Sequence, residues 1–234
     1  LGFLATAGLF YVNIMPALVA GLIDGLGFTS RQAGFVGSAN VYGAAGGALI
    51  AVFLVHKLPW RRVEVVALLL LLVLDLASTQ VTSASPLMAL RFVHGLVGGV
   101  SVGTGLAVIA RTTIPDRAFG MLLTVQCAAG GLGIMVLPGL AQHFGPKVLF
   151  LALALFTSVT LLMLPFLSDY PPRERLVRVD TVSGRIRRSP LALTLAAVFL
   201  FQAANMGLNA YIIPLARNYG LQTGFISSTV GVAN

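Results

Sequence analysis

Charged residues are scarce in this chain. Only 9% of its 234 residues are Asp, Glu, Lys or Arg, whereas soluble domains carry about a quarter. Hydrophobic residues make up 57% of the chain, and the mean hydropathy is +0.94. So few charges cannot cover a globule with polar surface, which excludes an ordinary water-soluble domain.

Cysteine is almost absent as well. The single Cys127 excludes a disulfide within the chain, and its place in an apolar run favours a packing role. No signal peptide is visible, and no residue spacing typical of a metal or cofactor site occurs. We therefore expect neither a metal nor a cofactor. Because the chain begins and stops inside apolar segments, we interpret it as part of a longer protein.

Long apolar runs dominate what is present. A helix needs about 20 apolar residues to cross the bilayer core of roughly 30 Å, and the runs have this length. We predict seven membrane-spanning helices and the start of an eighth. Their predicted ranges are 1–23, 32–55, 63–81, 86–110, 118–142, 148–167, 191–216 and 220 onward.

Basic residues crowd into every second loop. Eleven lie in the loops after predicted helices two, four and six, whereas the other loops hold only Arg31, Lys147 and Arg217. The positive-inside rule places the eleven, and the N-terminus, in the cytoplasm. We expect a multi-pass plasma-membrane protein whose positive charge serves topology and the lipid bilayer, not nucleic acid. The eleven are Lys57, Arg61, Arg62, Arg111, Arg117, Arg173, Arg175, Arg178, Arg185, Arg187 and Arg188.

A long basic loop divides the chain. We predict a six-helix bundle over residues 1–168, a basic cytoplasmic linker over 169–189, and the start of a second bundle over 190–234. A short repeat supports this division, because QAGFVGS at 32–38 resembles QTGFISS at 222–228. Pro16 in the first predicted helix likewise corresponds to Pro214 in the seventh. A unit that restarts after six helices is typical of transporters with parallel repeats.

Charged side chains interrupt two of the apolar runs, where they are costly. Asp75 lies in the third predicted helix and Arg91 at matching depth in the fourth, so we predict that they pair. Asp75 is then either a titrating group for proton coupling or half of a structural ion pair. His94 follows Arg91 on a face that continues to Ser101 and Gly105. We interpret this face as turned toward a wet cavity.

Polar side chains recur on one face of the seventh predicted helix, two others lie at corresponding depth in the first, and Gln126 in the fifth is a further candidate. In mid-membrane such groups either hold helices together or face a substrate. We favour the substrate-facing interpretation. The residues are Tyr11, Asn13, Gln126, Gln202, Asn205 and Asn209.

Glycines are spaced four residues apart in two of the predicted helices. Gly95, Gly99 and Gly103 form such a row in the fourth, and Gly43 and Gly47 form one in the second. Small residues at this spacing let membrane helices approach closely. We therefore predict a packing role for all five.

The sequence GVSVG at 99–103 spells the nucleophile elbow of serine hydrolases. That motif requires a strand-turn-helix setting, whereas this one lies within an apolar helical run. An intramembrane hydrolase would depend on Ser101. We expect no enzymatic activity.

These residues resemble a known family. LMALRFVHG at 87–95 is similar to a motif of major facilitator superfamily transporters, with a fixed arginine and a glycine four residues later. In the family's proton-driven drug exporters that arginine is associated with proton transfer, and by resemblance it is Arg91. Asn13 and Pro16 resemble part of a signature of the same exporters, whose upstream aspartate falls at Gly8.

The loop between predicted helices two and three resembles the family's cytoplasmic gating loop. Arg61 and Arg62 match its basic end, with Lys57 nearby. The aspartate that the family has a few residues earlier is replaced within HKLP at 56–59.

The resemblance covers the whole chain and implies an all-α membrane protein of two six-helix bundles. This chain holds the first bundle, helix 7 and the start of helix 8. The implied function is transport of a small molecule by alternating access, as a monomer, with proton-coupled efflux as our expectation. Two alternatives remain open: proton-coupled uptake of an organic anion anchored by Arg91, and a non-transporting membrane sensor or scaffold that uses the basic linker.

Overall fold

The computed structural model describes residues 1–55, 59–170 and 188–233. These residues form nine α-helices and one short 3-10 helix, and no strand occurs among them. The all-α fold expected from the sequence is therefore confirmed. The elements are α1 (Gly2–Asn13), α2 (Met15–Leu26), α3 (Ser30–Leu54), α4 (Trp60–Ser78), α5 (Ala84–Ile109), α6 (Pro115–Phe144), α7 (Lys147–Met163), the 3-10 helix Leu164–Phe166, α8 (Arg188–Asn218) and α9 (Thr223–Ala233).

Successive spans run in opposite directions, which gives the bundle two ends. At one end, called the linker end, Arg111 after α5 donates to the Val55 carbonyl after α3 at 3.3 Å. Arg61 at the start of α4 donates there to the Leu167 carbonyl, beyond α7. At the opposite end, called the far end, three turns line one small cavity. They contribute Gly25, Val81 and Pro146.

Helix length and composition suit a membrane. Five described helices are long and apolar enough to span one, and α1 with α2 adds a sixth if this bent pair counts as one span. The predicted third span, α4, is outside this set although it has 19 residues. It is left out because it carries four charged residues, which are Arg61, Arg62, Glu64 and Asp75. The remaining spans identify an integral multi-pass membrane protein.

The first predicted span is broken. Its halves α1 and α2 meet at 43° directly after Asn13. Pro16 lacks the N–H that would bond the Val12 carbonyl, and its ring would clash with that carbonyl in a continuous helix. The chain restarts with Pro16 in the first turn of α2, where proline is well tolerated. By contrast, α6 and α8 continue through Pro138 and Pro214.

Helices α3 and α5 approach so closely that their backbones touch. At four glycines, a Cβ would overlap a backbone carbonyl oxygen of the facing helix. These are Gly43, Gly47, Gly95 and Gly99. At Gly103 a Cβ would instead overlap the methyl group of Ala51. The five glycines with a predicted packing role therefore all lie in this contact.

Helix α8 contacts the bundle through its far-end half. Ala210 and Ile213 are buried there, and Ile213 packs with Ala20 of α2 and Ile226 of α9. Residues 192–205 of α8 are all exposed. The first bundle and α8 are therefore in contact at the far end and separate toward the linker end.

Candidate coupling site and cavity

An ion pair is completely buried between α4 and α5. Arg91 Nη1 lies 3.0 Å from Asp75 Oδ1, and neither side chain has any exposed surface. Arg91 Nη2 donates to the Leu74 carbonyl at 3.1 Å and to the Ser78 hydroxyl. Because α4 and α5 are consecutive antiparallel helices, residues at equal depth meet. The pair predicted from sequence depth is present.

His94 joins the same carboxylate. Its Nε2 lies 3.2 Å from Asp75 Oδ1, and its Nδ1 lies 2.9 Å from Asn40 Nδ2. An amide nitrogen can only donate, so Nδ1 accepts and Nε2 carries the hydrogen that points to Asp75. Asn40 Nδ2 also lies 3.1 Å from the Arg91 carbonyl oxygen. Asn40 thereby connects α3 to the group of Asp75, Arg91 and His94, hereafter the charged cluster.

Aromatic rings enclose the charged cluster. The Arg91 guanidinium lies 5.7 Å from the centre of the Tyr11 ring on α1 and 5.1 Å from that of Phe150 on α7. Such rings attract a cation electrostatically, more strongly when water is excluded. Tyr11 was predicted to face a substrate. The structure places it in the wall of the charged cluster, because α1 packs directly on α5.

The two carboxylate oxygens of Asp75 have different surroundings. Oδ1 receives both Arg91 and His94, while Oδ2 is buried and has no hydrogen-bond partner in the described part of the chain. The charged cluster thus combines a permanent cation, an imidazole and a carboxylate whose two contacts share one oxygen.

The face of α5 that bears the charged cluster is not open to a cavity, contrary to expectation. Arg91, His94 and Ser101 are all buried, and the face packs against α1 and α4. Close approach of Gly98 to α1 is the physical reason. A Cβ at Gly8 would overlap the Gly98 carbonyl, so the position at which the drug exporters have an aspartate has no room for a side chain here.

The burial of Arg91 also argues against its alternative role as the anchor of a substrate carboxylate. A substrate carboxylate would have to reach a guanidinium that has no exposed surface and already bonds Asp75, Leu74 and Ser78. It could do so only after α4 and α5 had separated. Arg91 is therefore placed to hold helices together in this conformation.

The remaining predicted polar residues do not join the charged cluster. Asn13 is half-buried at the break in the first span, and its Nδ2 has no partner among the described residues. Gln126 on α6 and Asn209 on α8 are half-buried, while Gln202 and Asn205 are exposed. The three α8 residues remain apart because α8 packs against the other helices mainly near the far end.

A cavity of about 540 Å³ lies between α2, α3 and α8. Gln202 is the member of the predicted polar set that lines it. Its walls are otherwise mainly apolar, and Phe35 and Phe199 contribute rings. Arg31 supplies a cation whose guanidinium lies 5.4 Å from the centre of the Phe35 ring.

Specific contacts close the far end between α8 and the first bundle. The Tyr211 hydroxyl donates to the Ser30 carbonyl at 2.8 Å. It occupies the space in which a Cβ at Gly34 would lie. Arg217 pairs with Asp24, which lies in the last turn of α2.

The predicted gating residues occupy different surroundings. Lys57 lies outside the described residues. Arg61 donates to the Leu167 carbonyl and lies 3.5 Å from Asp169, so it joins α4 to the segment that follows α7. Arg62 is exposed.

Sequence reasoning missed a second buried carboxyl group. Glu64 on α4 has no exposed surface, and the Ser101 hydroxyl donates to its Oε2 at 2.8 Å. The signal was available, since Glu64 and Asp75 are separated by three helical turns and share one face of α4. The contact also explains Ser101. Its hydroxyl is committed to Glu64 in mid-helix, which is not the strand-turn-helix geometry of a nucleophile elbow.

Comparison with known proteins gives a family match and one distant relative. The family model described as Major Facilitator Superfamily matches residues 1–234. The "Putative niacin/nicotinamide transporter NiaP" of Bacillus subtilis (strain 168) is 24% identical over 172 residues. This match covers 70% of the chain and 42% of the relative, so it spans less than half of that protein's length. No solved structure matches the chain.

Proposed function

The chain belongs to the major facilitator superfamily, and from that premise we propose that the protein moves a small organic molecule across the membrane by alternating access. We infer proton-coupled efflux as the form of transport. The charged cluster carries this proposal. Asp75, Arg91 and His94 are buried inside membrane helices, where ionisable groups are costly and mark ion or proton pathways.

The geometry of the charged cluster supports its proposed role in coupling. A proton on Asp75 Oδ2 removes the negative charge that holds Arg91 and His94. The cluster touches α1, α3, α4, α5 and α7 through side chains already described, so a change in its charge alters the packing of most of the first bundle. A proton can thereby bias the equilibrium between two arrangements of the helices.

The far-end contacts define the proposed gate. Tyr211 and Arg217 bond Ser30 and Asp24 at that end, while residues 192–205 of α8 are exposed. The linker end bears the basic residues, so the positive-inside rule supports a cytoplasmic linker end and N-terminus in the plasma membrane. In this proposal the structure is closed toward the outside, and transport requires the far-end contacts to break.

Gly34→Leu is expected to favour the outward-open state. A side chain at this position would displace the Tyr211 hydroxyl from the Ser30 carbonyl and so weaken the far-end contacts. We expect a cysteine introduced at Met206, in the cavity wall, to react about tenfold faster with an impermeant maleimide applied outside, which corresponds to about 1.4 kcal/mol. Cys127 is replaced by serine in this background because it is exposed.

The matched control is Gly46→Leu on the same helix. A Cβ at Gly46 has no atom within 4 Å, so this variant should label at the parental rate. Equal rates for the Gly34 and Gly46 variants would contradict the proposed gate.

Transport itself is tested with the full-length protein in liposomes under an imposed pH gradient. The panel contains amphipathic cations, organic anions, nicotinic acid and nicotinamide, the last two because of the name of the Bacillus relative. Movement of a compound in exchange for protons supports efflux. If folded protein moves no compound, the sensor or scaffold function is favoured instead.

Uptake of an organic anion is the second candidate. The cavity between α2, α3 and α8 favours it, because Arg31 offers a cation beside the rings of Phe35 and Phe199. Nicotinic acid and nicotinamide provide the comparison, since they share a ring and differ in a carboxylate against a neutral amide. Proton-driven accumulation of the acid over the amide would support this candidate.

A further inference from the structure

Helix α4 carries two buried carboxyl groups with different surroundings. Glu64 and Asp75 are both completely buried. They are separated by three turns, or about 16 Å at 1.5 Å per residue, and both face α5. Asp75 lies toward the far end and Glu64 lies one turn inside the linker end.

The two groups differ in charge compensation. Asp75 has Arg91 at 3.0 Å and His94 at 3.2 Å. Glu64 accepts a hydrogen bond at Oε2 from the neutral Ser101 hydroxyl, and its Oε1 is buried without a partner in the part of the chain that the structure describes. Among the described residues, no cation lies within ion-pair distance of Glu64.

The cations on α4 itself point elsewhere. Arg61 lies one turn before Glu64, but its guanidinium bonds the Leu167 carbonyl and lies beside Asp169. Arg62 is exposed. Neither therefore neutralises Glu64 in this arrangement.

The neighbouring helices supply no compensating charge either. Their titratable or charged groups are Tyr11 on α1, Arg91 and His94 on α5, Arg111 beyond α5, and Lys147 on α7. The first three belong to the charged cluster or its wall, Lys147 lies at the far end, and Arg111 donates to Val55. One turn to either side of Glu64, Trp60 and Leu68 belong to an apolar cluster.

A second hydroxyl continues toward the linker end. Thr104 follows Ser101 by one turn of α5, about 4.5 Å along the axis. Its side chain is 1% exposed, and its Oγ1 has no partner among the described residues. Glu64 and Ser101 are therefore in contact, and the Thr104 hydroxyl lies one helical turn from Ser101, in an otherwise apolar region.

We propose that Glu64 is a second proton-binding site, separate from the charged cluster and supported by Ser101 and Thr104. The group is neutral while it holds a proton, and losing that proton leaves a buried charge without compensation, which is costly. Exchange of the proton therefore requires water or a cation to enter between α4 and α5. Its role in loading protons from the linker end rests on the proposed transport function.

Infrared pH-difference spectroscopy of the full-length protein tests proton binding directly. The carbonyl stretch of a buried carboxylic acid should titrate in the parent protein and be lost in Glu64→Gln. Glutamine keeps the side-chain volume and an oxygen that can accept from Ser101. Asp116→Asn is the matched control, because Asp116 is an exposed acid at the start of α6 and its loss should leave the band intact.

Ser101→Ala keeps the Glu64 carboxyl group and removes its hydrogen-bond donor, so the carbonyl band of Glu64 should shift in frequency. A band that neither Glu64→Gln nor Ser101→Ala changes would overturn the proposal. The spectrum requires no substrate and no flux. If Glu64→Gln abolishes the band but the parent protein transports nothing, the proton site is supported and the transport function is contradicted. If the band persists in Glu64→Gln while the parent protein transports, the proton site is contradicted and the transport function is supported.

Discussion

Gly99→Leu should prevent the first bundle from folding. A Cβ at this position would overlap the Ala44 carbonyl oxygen, and the three further heavy atoms of leucine would have to enter the same backbone contact. The neighbour is main chain and cannot change rotamer, so α3 and α5 would have to separate. We expect a loss of about 3 kcal/mol or more, at the upper end of overpacking costs, and little monodisperse protein after extraction in detergent.

Gly46→Leu again provides the comparison. It adds the same side chain to α3 at a position where a Cβ meets nothing within 4 Å. Yield and thermal unfolding should match those of the parent protein. If Gly99→Leu were equally well folded, the close packing of α3 on α5 would be contradicted.

Arg91→Met should be the most damaging single change in the charged cluster. It keeps a long side chain but leaves Asp75 buried without its permanent cation. Breaking a buried pair in this way typically costs about 3–5 kcal/mol. We expect a corresponding fall in the thermal unfolding temperature of the purified protein, while Arg62→Met, at an exposed arginine of α4, should cause little change.

A double-mutant cycle distinguishes a coupled ion pair from two independent residues. Asp75→Asn combined with Arg91→Met removes both charges together, so the double variant should be less destabilised than the sum of the single variants. Contacting residues typically show interaction energies of about 0.5–3 kcal/mol in such cycles. Strict additivity would show that the two side chains are not coupled.

The all-α fold was predictable because each span carries its own local signal. An apolar run of membrane length identifies a helix without knowledge of its neighbours, as for α5 and α7. The break before Pro16 was less predictable. Proline produced a 43° break there, yet α8 continues through Pro214. Tertiary packing, which one helix alone does not reveal, decides between these outcomes.

The charged pair was predictable for a similar reason. Asp75 and Arg91 lie on consecutive antiparallel helices joined by a short turn, so equal depth implies contact. The direction in which their face points was not predictable. Whether a polar stripe faces water or a neighbouring helix depends on contacts such as Gly8 against Gly98, which involve distant parts of the chain.

Glu64 was missed although its spacing of three turns from Asp75 places both carboxyl groups on one face of α4. Its position near the basic start of α4 resembles a solvated helix end, where a carboxyl group needs no explanation. Only the structure reveals that Ser101, 37 residues later, covers it. The amide residues of α8 are a further case, because their environment depends on how the two parts of the protein meet.

The most direct test of proton-coupled transport measures proton movement and substrate movement in the same liposomes. Full-length protein is reconstituted with a pH dye inside, and compounds of the panel are added under an imposed gradient. We predict substrate-dependent proton flux that is lost in Asp75→Asn, since the asparagine cannot carry the proton. Unchanged proton flux in a folded Asp75→Asn variant would contradict the central role of the charged cluster.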